Sequence, residues 1–168
     1  LETIVVCVVV LLLFLWRNGL IFWPNALLAA VCFGFLLWNL SPARIFMGDV
    51  ASGFLGYALG ILAIFMASWQ PLFMWVWALL LALFVVDTTT TLLRRMIRGE
   101  RWYAPHRSHA YQHLAQRYGH RPVTFGQALF NLVVLLPIVV LVLLEPSLTL
   151  WAVGLTYGGL ALLALLLG

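Results

Sequence analysis

Apolar residues run almost unbroken through six stretches of this chain, at residues 1–16, 20–38, 50–67, 72–93, 125–144 and 148–167, and polar residues gather in the gaps. Crossing the hydrocarbon layer of a bilayer takes about 20 mostly apolar residues in a helix. The pattern therefore predicts an all-α polytopic integral membrane protein with about six transmembrane helices, packed as a single helical domain over residues 1–168. Two gaps exceed simple turns: residues 39–49 and residues 94–124. The first run is short, opens on Leu rather than Met, and lacks the basic flank and small-residue cleavage site of a signal peptide. It reads as a truncated span, and the chain as the C-terminal part of a longer protein.

Composition agrees with this class. Hydrophobic residues make up 65% of the chain and charged residues 8%, against roughly 25% charged in soluble domains. Cys7 and Cys32 lie inside apolar runs with no metal-site spacing and read as small core residues. All nine basic residues are arginines, and seven fall within residues 94–124, against the single acid Glu100, for a net charge of +6 with His neutral. The positive-inside rule makes that segment cytoplasmic. Two spans separate it from residues 39–49, which puts that loop, with Arg44, on the same side; Arg17 is a mild exception. Trp16, Trp23, Trp38, Trp69, Trp75, Trp77 and Trp151 sit near span ends, where indole rings favour the interface. Pro24 and Pro137 are expected at an early helical position or a kink.

The loop and the helix after it read NLSPARIFMGDVASGFLGYALG. Pro42 discourages a helix through Ser41, and Asp49 falls where the next helix starts. Gly48, Ser52, Gly56 and Gly60 recur every fourth residue, a small-residue ridge that another helix can approach closely, within the chain or in a second copy. Asp49 has two readings. As an N-cap it accepts a backbone N–H near Ser52; as a ligand it holds Mg²⁺, a hard cation that takes carboxylates and substrate phosphates. Glu2, Asp87, Glu100 and Glu145 do not complete a metal site around it. Asp87 lies within a span, where an acid is costly and points to function, or pairs with an Arg or a Thr hydroxyl of TTTTLLRR.

The basic segment reads RRMIRGERWYAPHRSHAYQHLAQRYGHRPVT. As a lipid anchor and topology determinant it accounts for the arginines. His106, His109 and His113, three and four apart, share one face of a helix expected after Pro105, with Arg107 and Ser108 near its start. Such a helix start suits phosphate oxygens. Zinc is the rival ligand, although this spacing is not a specific zinc signature.

The stretches SPARIFMGD and APHRSHAYQHL together resemble the polyprenyl-phosphate N-acetylhexosamine-1-phosphate transferases of glycosyltransferase family 4. That membrane family includes phospho-MurNAc-pentapeptide translocase and the initiating transferases of O-antigen synthesis, and HRSHAYQ is closest in style to the second branch. The resemblance implies transfer of a sugar 1-phosphate from a UDP-N-acetylhexosamine to undecaprenyl phosphate, releasing UMP, at the cytoplasmic face of the bacterial inner membrane with Mg²⁺. It implies that Asp49 ligates the Mg²⁺, that Phe46 stacks on uracil, and that Asn39 lies close to the nucleotide. His106, Arg107, Ser108 and His109 then bind the donor phosphates or steady developing charge. The family's earlier loops, with paired aspartates and an Asn/Asp-rich motif, do not occur in this sequence, so the chain alone is expected to be inactive. Arg107 and Ser108 depart from the peptidoglycan enzyme and argue against a muramyl-peptide donor. The partners expected are the two substrates, membrane lipid and, through the small-residue ridge, a second copy in a homodimer; no nucleic acid is expected. A different class remains open: a non-catalytic membrane protein whose basic segment binds anionic lipid or a partner. A transporter using Asp87 fits less well, because the polar residues gather at one face rather than the midplane.

Overall fold

The structure is a computed structural model that describes residues 1–18, 22–39, 43–99 and 110–167. Among the described residues the regular structure is entirely helical: α1 (Glu2–Asn18), α2 (Trp23–Asn39), α3 (Asp49–Trp69), α4 (Leu72–Leu80), α5 (Ala82–Ile97), α6 (Ala110–Tyr118), α7 (His120–Phe130), α8 (Leu136–Leu144) and α9 (Thr149–Leu167). A π-helical turn, Asn131–Leu135, joins α7 to α8, and a 3₁₀ turn, Pro146–Leu148, leads into α9. This is an all-α, multi-pass membrane protein.

The expected count of six spans is corrected to about four. Among the described residues three helices are long and apolar enough to cross, Asp49–Trp69, His120–Leu144 and Pro146–Leu166, and α4 with α5 adds a fourth if the bent pair is one span. The reason is length and a bend. α2 has 17 residues, about 25 Å at 1.5 Å per residue, short of the ~30 Å hydrocarbon layer. α4 and α5 meet at Leu81 at 67°.

The core forms where α1, α4 and α8 meet. Val6, Val10 and Phe14 from α1 pack with Phe73, Val76 and Leu80 from α4 and with Leu135, Val139 and Val142 from the end of the π turn and α8. Phe14 and Phe73 meet edge to face with centroids 5.2 Å apart, a geometry that suits their quadrupoles. Cys7 is buried in this core and Cys32 is half-buried; both are free thiols. Outward, α2, α3 and α9 expose many large apolar side chains, including Leu27, Val50 and Leu155. Such surface is unstable in water and suits hydrocarbon.

Two sequence expectations change here. Six of the seven tryptophans named above are exposed, but Trp77 is 1% exposed and fills the core. Its Nε1 has no hydrogen-bond partner among the described residues. The ridge of Gly48, Ser52, Gly56 and Gly60 is exposed; the buried residues of α3, Leu59, Ala63 and Met66, continue the same face toward its C-terminal end. A methyl group added at Gly48, Gly56 or Gly60 would meet nothing within 4 Å, so no described helix packs on that ridge.

Pro137 follows the π turn, where a wider ring of hydrogen bonds accommodates the missing N–H. The basic segment is not a plain loop: α6 occupies 110–118 and α7 starts at His120, with Gly119 between them at φ +89°. That φ favours glycine because it has no Cβ.

Candidate active site

The loop between α2 and α3 folds back on the end of α2. The Asn39 side-chain amide donates to the Ile45 carbonyl at 2.9 Å. The Arg44 and Ile45 amides both donate to the Trp38 carbonyl, at 2.9 and 3.4 Å, which satisfies one acceptor that a helix end leaves unpaired. The Arg44 guanidinium lies over the Trp38 ring, 5.7 Å from its centroid, within cation–π range. These contacts brace residues 44 and 45 and leave the next side chain outside: Phe46 is 81% exposed. Ser41 and Pro42 lie outside the described residues.

Asp49 is the first residue of α3, and the residue at the capping position is Gly48, in extended backbone at φ −81°, ψ 173°. The N-cap reading of Asp49 is therefore overturned. Gly48 instead contributes its carbonyl to the Ser52 amide at 3.0 Å, and the Ser52 hydroxyl donates to the Asp49 carbonyl at 3.0 Å. The Asp49 carboxylate is exposed beside the positive end of α3, with its backbone held and its side chain open to a ligand. No group of three or more His, Cys, Asp or Glu side chains that could hold a metal occurs among the described residues. A lone carboxylate still fits a Mg²⁺ ion that takes its other ligands from substrate phosphates and water.

His106, Arg107, Ser108 and His109 lie outside the described residues, as does the start of the helix expected after Pro105. α6 is described from Ala110, and on it His113 is exposed. Tyr111, Leu114 and Tyr118 share the other face of α6 and line a cavity of about 460 Å³ together with residues of α5, α7 and α9. Asp87 is half-buried on the wall of that cavity. The neighbouring Thr88 and Thr90 hydroxyls donate back to their own helix, to Phe84 and Val86 carbonyls at 2.8 and 2.7 Å. Arg94 reaches across to α9 and donates to the Ala164 and Leu165 carbonyls at 3.1 and 3.4 Å. Sequence reasoning did not find this cavity. The one signal was the apolar spacing of Tyr111, Leu114 and Tyr118 within a basic stretch.

The glycosyl transferase family 4 profile matches residues 1–67, which carry α1, α2, the braced loop and most of α3. Through these residues the chain is similar to glycosyl transferase family 4. The probable undecaprenyl-phosphate N-acetylglucosaminyl 1-phosphate transferase of Bacillus subtilis is 33% identical over 96 residues, covering 55% of this chain and 24% of that protein. The phospho-N-acetylmuramoyl-pentapeptide-transferase of Chlamydia muridarum is 46% identical over 70 residues, 41% of this chain and 19% of that protein. The protein of the same name from Streptomyces griseus is 64% identical over 39 residues, 23% and 11% of the two chains. The chain thus spans about a quarter or less of the relatives that it matches. No solved structure matches it.

Proposed function

We propose that this chain is part of a family 4 transferase that moves a sugar 1-phosphate from a UDP-N-acetylhexosamine to undecaprenyl phosphate. The acceptor phosphate oxygen attacks the phosphorus that bears the sugar, the diphosphate bond breaks, and UMP leaves. The product is the first lipid-linked sugar of an O-antigen-like envelope polysaccharide, formed at the cytoplasmic face of the inner membrane. The observation that carries this reading is the braced loop: Asn39 and Trp38 hold residues 44 and 45, so that an exposed aromatic ring and an exposed carboxylate stand three residues apart at the start of α3.

Both substrates are anionic, so transfer needs charge neutralisation and alignment more than covalent help. Asp49 would hold Mg²⁺, which when bound supplies that neutralisation at the diphosphate. Phe46 offers its open face to the uracil ring. Arg107, Ser108, His106 and His109 take the donor phosphates, as the motif resemblance implies.

The test is Asp49→Asn in the full-length protein, assayed in membranes for transfer of labelled sugar phosphate from UDP-sugar to undecaprenyl phosphate. Loss of a charged group at the reacting centre should lower turnover by at least ~100-fold, with membrane insertion unchanged. Transfer at the wild-type rate would sink the metal role of Asp49 and favour a lipid- or partner-binding protein.

A further inference from the structure

Among the described residues, the cavity beneath α6 shares no lining with the loop before α3: Asn39, Phe46 and Asp49 do not line it. Leu83 of α5, Phe130 of α7 and Leu160 of α9 form its walls, and Tyr111 and Tyr118 of α6 cover it. Its volume, about 460 Å³, lies within the range of roughly 300–1,000 Å³ typical of ligand sites. Water is a poor occupant of a space walled almost entirely by hydrocarbon. Among the described residues its polar groups are Asp87, Gln127 and the two tyrosine hydroxyls, and the Tyr111 hydroxyl accepts from Gln112 at 3.3 Å.

The charges around it are arranged by sign. Arg117 and Arg121 directly precede two lining residues, Tyr118 and Pro122, and the Arg117 guanidinium lies over the Tyr118 ring at 5.4 Å. Arg94 binds the carbonyl of Ala164, another lining residue. His113 and His120 are exposed on the same short helices. An apolar lining with arginines beside it suits a ligand with an aliphatic chain for the interior and a negative head for the α6–α7 turn.

We propose that this cavity takes one acyl chain of a resident anionic phospholipid, whose headgroup phosphate rests against Arg117 and Arg121. An amphipathic helix at the membrane surface, with aromatic residues inward and arginines outward, suits such a lipid. The lipid fills the gap between α5, α7 and α9.

The test uses the full-length protein in nanodiscs of phosphatidylglycerol or phosphatidylcholine, extracted in mild detergent and weighed by native mass spectrometry. One retained phosphatidylglycerol per chain is expected. Ala164→Phe, which fills the cavity, should cut retention about tenfold. Gly126→Leu, at a site where an added Cβ meets nothing within 4 Å, should do the same with better helix propensity. Arg117→Gln with Arg121→Gln should keep a lipid and lose most of the preference for phosphatidylglycerol over phosphatidylcholine, a change of about tenfold. Wild-type retention in both cavity variants would overturn the proposal. So would displacement of the phospholipid by equimolar undecaprenyl phosphate, which would make the cavity an acceptor site. Transfer activity, measured in the same preparations, reads the Asp49 chemistry separately from lipid retention.

Discussion

Phe46 is exposed because its neighbours are not free to move. The Asn39 amide on Ile45 and the Trp38 carbonyl on Arg44 and Ile45 fix the backbone just before it, and the extended Gly48 carries the chain into α3 just after it. A ring held in this way loses little entropy on stacking, so Phe46→Ala should raise KM for the UDP-sugar about tenfold with a smaller change in kcat. Steady-state kinetics on the full-length enzyme check this, since base–aromatic stacking contributes about 1–3 kcal/mol per base. In the sequence Asp49 stood out as an acid at a helix start after Pro and Gly, whereas Phe46 and Asn39 were singled out through the motif resemblance alone. The brace was not legible, because a side-chain amide can bond a carbonyl six residues on only when the intervening loop has closed.

At the scale of elements, the decisive feature is the bend at Leu81. Nothing from Leu79 to Phe84 marks it, for the stretch LLLALF contains neither Pro nor Gly, the usual causes of a kink. Leu81 sits at φ −90°, ψ 2°, and the Tyr157 hydroxyl of α9 donates to the Ala78 carbonyl at 2.9 Å. That carbonyl lies in the last turn of α4, where acceptors lack intrahelical partners. Tyr157→Phe removes the donor and should cost ~1–2 kcal/mol, read as a lower melting temperature of the detergent-solubilised protein. An unchanged melting temperature would show that the bend does not depend on this bond. By contrast α3 was readable almost to the residue: a loop rich in Pro and Gly ends, an acid opens the first turn, and an apolar run follows.

For the whole molecule, the arrangement turns on whether α4 and α5 cross as one span. If they do, the 43–49 loop and α6 lie on the same face, as the arginine distribution requires. In a Cys7→Ser, Cys32→Ser background, Met47→Cys and Gln116→Cys should both react with an impermeant thiol reagent only in inverted vesicles. Ser147→Cys should react only in intact spheroplasts. Labelling of Met47→Cys and Gln116→Cys from opposite faces would mean that the bent pair re-enters rather than crosses, and would separate the two basic regions.

The all-α membrane class follows from the sequence alone for a physical reason. In hydrocarbon every backbone polar group must be paired within its own segment, so long apolar runs declare themselves as helices. Local chemistry likewise marks Asp49 at a helix start. Tertiary structure decided the rest. Trp77 enters the core, α3 leaves its glycine ridge open, Leu81 bends, and four helices enclose a cavity behind α6. Each of these depends on partners far apart in the chain, such as Ala78 with Tyr157 or Arg94 with Ala164. No periodicity within a single run of apolar residues records which distant helix will arrive to meet it.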